Sequence, residues 1–168
     1  MYNFLNMADS LEILIGKSLR ESGLWLAVAE SCTGGLLGHR ITNVPGSSMY
    51  FKGGVVSYAY EAKRDILGVS MATLEAKGAV SKETVLEMAR GVKKIMEADI
   101  GLSVSGIAGP GGGSIEKPVG TTWIGMSTPE GDIAQMHYFQ GERIEIKLQA
   151  AQATMQLLLD YLSDRSAE

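Results

Sequence analysis

Two stretches of this chain carry residues that could do chemistry on a carbonyl or a phosphate. The first is Ala29-Glu30-Ser31-Cys32-Thr33-Gly34-Gly35. The apolar run Leu24 to Ala29 leads into it and the helix-patterned run Leu36 to Thr42 leads out, so it reads as a strand-to-helix turn. The first amides of a helix have no partner within the helix, and they point outward as donors that favour negative charge. Glycine lets a ligand come close to the backbone. A phosphate, or an oxyanion formed during a reaction, suits such a place. The plainer alternative is that Ser31 or Thr33 only caps the helix.

The second stretch centres on Lys63, which follows Tyr58, Tyr60 and Glu61 at the mouth of a predicted strand. A lysine among aromatic rings is disfavoured in its charged form, and a neutral amine can take the proton from a serine hydroxyl. Ser31, Ser47 and Ser48 are the available partners. The Ser-x-x-Lys spacing of penicillin-interacting enzymes is absent, because position 60 is Tyr. The ordinary alternative for Lys63 is a solvated side chain on a short helix. Cys32 is a weaker nucleophile candidate, since no histidine lies near it in sequence and a buried free cysteine is commoner. His39 falls in a predicted helix and His137 in a predicted hairpin strand. Neither a Ser-His-Asp triad nor a metal site is expected, because no carboxylate-histidine cluster has ligand spacing.

The elements that must position these groups follow from periodicity. Asp9 or Ser10 can cap a first helix, whose face carries Leu11, Leu14, Ile15 and Leu19 and which Gly23 ends. Gly16-Lys17-Ser18 lies inside it and reads as solvated. Leu24 to Ala29 has the continuous apolar character of a strand covered on both faces. A helix then runs to about Asn43, a loop covers Pro45 to Ser48, and Tyr50 to Tyr58 reads as a strand. Gly53-Gly54 inside it suggests a bulge or a close backbone approach. Glu61 to Leu67 is a short helix closed by Gly68, and a turn region runs on to Gly78. Ser81 opens a helix with Val85, Met88, Ala89, Val92 and Ile95 along one face. Asp99 to Val104 is a buried-type strand running into the glycine-rich Ser105 to Ser114, where glycine's entropy disfavours helix or packed strand. Thr121 to Ser127 and Ile133 to Phe139 flank Pro129-Glu130-Gly131 as a hairpin. A last helix, from Glu142 to about Leu162, would bury Ile146, Ala150, Ala153, Leu157 and Leu158.

Helices and strands interleave early and a hairpin comes late. This predicts one three-layer α/β/α domain spanning 1–168, its core about 10–162, with a mixed, largely parallel sheet. The polar stretches 30–35, 57–63 and 105–114 each follow a predicted strand, and ligands collect beyond the carboxyl ends of parallel strands.

A net charge of −4 and the lack of any Lys/Arg block argue against nucleic-acid binding. A single cysteine leaves no intrachain disulfide and fits a reducing compartment. Met1 to Asp9 lacks the pattern of a signal peptide, and no apolar run approaches the length of a membrane span. A soluble, cytoplasmic protein is expected, with a homodimer as the commonest assembly.

Several blocks occur together and in order. They are Ala29 to Gly35, Pro45-Gly46-Ser47-Ser48, Gly53 to Tyr58, Glu61-Ala62-Lys63, Gly78-Ala79-Val80-Ser81, Ser105 to Pro110 and Glu116 to Thr121. The whole resembles the CinA C-terminal-domain family over about residues 10 to 160. The resemblance implies an amidohydrolase that converts nicotinamide mononucleotide to nicotinic acid mononucleotide and ammonia, by a Ser-Lys mechanism without a cofactor. The alternative is a non-catalytic nucleotide- or partner-binding module associated with competence or DNA-damage proteins. By resemblance Lys63 is the base and Tyr58 helps to orient or polarise. Ser48 is the preferred nucleophile, with Ser31 as its rival. The expected substrate-binding set is Glu30, Thr33, Gly34, Gly35, Ser105, Gly106 and Arg143. The phosphate would suit the turn at Thr33-Gly34-Gly35 or the loop Gly106 to Gly113. Ser105 stands where the family usually has Thr, Tyr60 where many members have Asn, and Gly111-Gly112-Gly113 replaces an acidic-containing loop.

Overall fold

The computed structural model describes residues 10–166. Asp9, one of the two possible caps of the first helix, lies outside the described residues. Helix α1 (Leu11–Ser22) is followed by β1 (Leu26–Glu30), α2 (Leu36–Thr42), a single 3-10 turn (Ser47–Met49) and β2 (Phe51–Val56). Helices α3 (Tyr60–Leu67), α4 (Met71–Lys77) and α5 (Lys82–Ile95) come next. Strands β3 (Ile100–Gly106), β4 (Thr121–Ser127) and β5 (Asp132–Tyr138) precede the long α6 (Arg143–Ser166).

The one element absent from the periodicity reading is α4. Ser70 caps it, accepting from the Thr73 amide, and it buries only Leu74. Seven residues with one buried anchor carry too little pattern to register as a helix. Gly23 and Gly68 close α1 and α3 in the left-handed conformation, at φ 68° and 71°.

The sheet order is β2-β1-β3-β4-β5. β1 pairs in parallel with both β2 and β3, whereas β3–β4 and β4–β5 are antiparallel. The mixed sheet is therefore parallel across its first three strands and ends in the expected hairpin. Helices cover both faces. Leu26, Val28, Leu102 and Val104 pack with Leu19, Leu37, Ile146 and Leu158 from α1, α2 and α6. Ala27 and Ala29 face the other way, against Leu67, Leu74, Met88 and Val92 from α3, α4 and α5. Every residue of β1 is buried, because successive side chains feed opposite cores. Each such large apolar side chain contributes roughly 1.5–3 kcal/mol by leaving water.

Two glycine positions bear on this packing. The pairing of β1 with β2 steps from Leu26↔Phe51 to Ala27↔Gly53, so Lys52 is an extra residue in β2. Gly53 has φ 141°, and a carbon added at Gly54 would sit 2.6 Å from Val28 Cγ2. Both the irregular register and the close approach expected of Gly53-Gly54 are present. Gly16, expected to be solvated, is instead buried under Tyr50, whose hydroxyl would lie 2.6 Å from a carbon added there. Among the described residues, no helix is long and apolar enough to cross a membrane.

Candidate active site

Strand register brings three serines together at the carboxyl ends of the parallel strands. Glu30 pairs with Val56 on one side and with Val104 on the other. The ladder continues one residue further, since the Ser57 amide donates to Glu30 O at 2.8 Å and the Ser31 amide to Val104 O at 3.0 Å. Ser57, Ser31 and Ser105 thus stand in a row across three adjacent strands, about 4.8 Å from neighbour to neighbour. Side-chain alternation turns all three toward the α3–α5 face, where Ser103, two residues before Ser105, donates to Val85 O of α5. All three residues are buried, and the Ser57 hydroxyl has no hydrogen-bond partner.

Lys63 enters this row from α3. Its side chain is fully buried. The amine nitrogen lies 2.6 Å from Ser57 O, 3.0 Å from Ser31 Oγ and 3.3 Å from Tyr58 O. Burial pulls the ammonium pKa down from the usual 10.5 to about 8, against a smaller opposing pull from Cys32. A neutral amine has two hydrogens and one lone pair. In that form the two carbonyls take the hydrogens and the lone pair is left for the Ser31 hydroxyl, whereas the ammonium donates to all three oxygens. Lys63 is therefore not the solvated residue that short helices usually carry.

Ser48 is placed elsewhere. It is exposed, on the 3-10 turn ahead of β2. Within one copy of the chain, the six residues of β2, roughly 20 Å of strand, separate it from the connection where Lys63 is held. Of the two serines weighed as nucleophile, the one that lies against Lys63 is Ser31.

The turn 30–35 also differs from both expectations. Neither Ser31 nor Thr33 caps α2. The buried Glu30 side chain does so, accepting from the amides of Gly35, Leu37 and Gly38 at 3.0, 3.0 and 2.9 Å and from Thr33 Oγ1 at 2.6 Å. The amides expected to receive a ligand anion are closed by the protein's own carboxylate. Glu30 and Thr33 therefore face into the turn, and Gly34 and Gly35 present only backbone to the outside. Gly106 ends β3 against β4, where an added carbon would meet Thr122 Oγ1 at 2.5 Å, so its lack of a side chain serves packing.

Arg143 ties the rim together. One guanidinium nitrogen donates to Gly109 O at 2.6 Å and another to the Tyr58 hydroxyl at 2.8 Å. The start of α6, the β2–α3 connection and the glycine-rich loop after β3 meet through this one side chain. Tyr60, at the first position of α3, accepts from the Ala79 amide at 3.2 Å. It fastens α3 to the segment before α5.

Other candidates fall away from the row. Burial pushes the Cys32 thiol up to about 11, opposed by its own backbone amide, with Glu30 adding to the rise and Lys63 and Lys147 pulling down. A thiol so placed stays protonated near neutral pH. His39 lies on α2 beside Asn43, and His137 stacks on Phe139 at 5.3 Å between centroids. Among the described residues, no group of three or more His, Cys, Asp or Glu side chains could hold a metal ion. Sequence reasoning missed Ser57, although it adjoins Tyr58, because its membership of the row depends on strand register.

The CinA C-terminal domain model matches residues 8–162. A protein of Enterobacter agglomerans named nicotinamide-nucleotide amidohydrolase PncC is 49% identical over 150 residues, covering 89% of this chain and 92% of that protein. A longer relative from Moorella thermoacetica, whose provisional name is competence-damage inducible protein, is 50% identical over 157 residues. The match covers 94% of this chain but only 38% of the Moorella protein. The crystal structure of a competence-damaged protein (CinA) superfamily protein from Klebsiella pneumoniae superposes with a TM-score of 0.88 at 34% identity, covering 92% of this chain and 96% of that one. Sequence and architecture agree, and the chain belongs to the CinA C-terminal domain family.

Proposed function

We propose that this chain hydrolyses the carboxamide of nicotinamide mononucleotide, with Ser31 as nucleophile and Lys63 as base. The observation that carries the reading is the buried Lys63 amine, clamped by Ser57 O and Tyr58 O and 3.0 Å from Ser31 Oγ. The similarity to the Enterobacter amidohydrolase supports the choice of substrate.

The proton moves from Ser31 to Lys63 Nζ as Ser31 Oγ bonds to the carboxamide carbon. The resulting ammonium has three hydrogens and three acceptors already in place, so little must reorganise. It returns the proton to the departing nitrogen, the carbon–nitrogen bond breaks and ammonia leaves. Water then attacks the Ser31 ester with Lys63 again as base, which releases the acid and restores the serine. Ser105 stands beside Ser31 as a hydroxyl within reach of the substrate. Tyr58 and Arg143 form the rim over it. The scheme calls for no cofactor.

The test is ammonia release from nicotinamide mononucleotide. Ser31→Ala and Lys63→Ala are each expected to lose about a thousandfold or more in kcat/KM, whereas Ser48→Ala stays within a few fold of wild type. Loss in Ser48→Ala with activity kept in Ser31→Ala overturns the assignment. Binding of the mononucleotide without ammonia release by the wild type replaces the enzyme with a nucleotide-binding module.

A further inference from the structure

Lys147 lies one helical turn beyond Arg143 on α6. It is half-buried and has no hydrogen-bond or ion-pair partner among the described residues. Its ammonium stands over the bare backbone of Gly34, where an added side-chain carbon would lie 3.6 Å from Nζ. Gly34 and Gly35 adopt φ of 64° and 102°. They line one side of a cavity of about 450 Å³ between α2 and α6, with Leu36, His39, Ile144 and Leu148 around it. No carboxylate lines that cavity, in a chain whose net charge is −4. The nearest acid in the turn, Glu30, is turned inward and held by four donors.

The cavity and the serine–lysine pair flank the same turn. Arg143 reaches toward Tyr58 and Gly109 from the turn of α6 before Lys147, so two cations succeed one another along the edge of the cleft. An unpaired ammonium with only backbone and neutral or basic side chains around it has no counter-charge of its own. A phosphomonoester supplies it, and lysine binds phosphate as a point charge.

We propose that the pocket between α2 and α6 holds the phosphate of the substrate, with Lys147 as its counter-charge, while the other side of the turn presents Ser31 to the amide end. This subsite rests on the proposed amidohydrolase reading for its substrate. It separates recognition from chemistry. Lys147 contributes to phosphate binding and makes no contact with the reacting carbon.

The experiment compares nicotinamide mononucleotide with its dephosphorylated riboside, by calorimetric binding and by ammonia release. The proteins are wild type, Lys147→Ala, Lys147→Met and Lys147→Arg. Both neutral variants are expected to weaken mononucleotide binding and raise its KM at least tenfold, with kcat within a few fold. Riboside binding and turnover stay unchanged, and Lys147→Arg restores most of the lost affinity. Lys147→Met keeps the aliphatic stem and decides the matter if alanine perturbs folding. Inorganic phosphate should compete with the mononucleotide in the wild type and not in Lys147→Met. Equal losses on both ligands, or no loss on the mononucleotide, overturn the subsite. So does a wild type that binds neither the mononucleotide nor inorganic phosphate. Lysine-dependent binding without ammonia release leaves the subsite standing and overturns the amidohydrolase reading.

Discussion

A buried lysine is unusual enough to ask what holds it, and at Lys63 the answer is two backbone carbonyls and one hydroxyl. The amine serves as a base only when neutral, and burial brings its pKa to about 8. In the proposed reaction, kcat/KM should therefore fall about tenfold for each pH unit below that value and level off above it. Stability follows the same group with a definite sign. The unfolded chain restores the ordinary value of 10.5, so between about 8 and 10.5 it binds more protons than the folded chain. Folding stability from this group rises with pH across that window. Below it both states are protonated and the folded state carries the full desolvation penalty. A pH–rate profile of ammonia release, with urea unfolding of wild type and Lys63→Met from pH 7 to 10, checks both. A flat profile across pH 8 would contradict the base assignment. Lys63 stood out in the sequence through the family resemblance, since Tyr58 and Tyr60 beside it are themselves exposed and its burial comes from packing that leaves no local pattern. Which serine it meets was not legible, because Ser31 and Ser48 differ only in the strand end at which they stand.

At the level of elements, the turn between β1 and α2 is organised by a carboxylate rather than by its serine or threonine. Glu30 is 2% exposed, and its two oxygens accept from three amides and a hydroxyl. Glu30→Gln keeps the shape but turns one oxygen into a donor aimed at amide donors. Each bond to a charged acceptor is worth about 1.5–3 kcal/mol. The substitution is expected to cost about 2–4 kcal/mol in a urea titration at pH 7. A loss below about 0.5 kcal/mol would mean that α2 starts without it. The local pattern revealed a strand, a bend and a helix here, and these were correct. It did not reveal that Glu30 would fold back, since that depends on a buried neighbourhood formed by other elements. The serine row has the same character. Ser57, Ser31 and Ser105 are 26 and 74 positions apart in the chain, and only the parallel pairing makes them adjacent.

Across the molecule, the cleft is assembled from three connections that share no regular backbone pairing, and Arg143 bridges two of them to α6. Its guanidinium is exposed, so its bonds hold loops in place without supporting the core. Arg143→Ala should speed amide exchange at residues 107–114, read by mass spectrometry, and leave the melting midpoint within a few degrees. A global drop in protection would show that α6 docks through this residue instead. The overall architecture was readable because alternating strands and amphipathic helices carry strong periodic signals. The closing of the cleft was not, since long-range bonds from one side chain leave no period.

The extra residue Lys52 in β2 has a consequence at the far end of that strand. Side chains alternate with a period of two, so an inserted residue taken into the ladder would turn every later side chain to the other side of the sheet. Ser57 and the carbonyl that clamps Lys63 lie five residues downstream of this insertion. Because Lys52 bulges out instead, Gly53 stays opposite Ala27 and Ser57 stays beside Ser31; forcing Lys52 into the ladder opposite Ala27 would turn Ser57 to the α1–α6 side and strand the amine without its clamp. Deleting Lys52 preserves that pairing, so it is expected to leave the far-ultraviolet circular dichroism spectrum and ammonia release largely unchanged; loss of ammonia release would show that the bulge itself shapes the strand end. The bulge at one end of β2 thereby keeps the proton acceptor at the other in phase with Ser31.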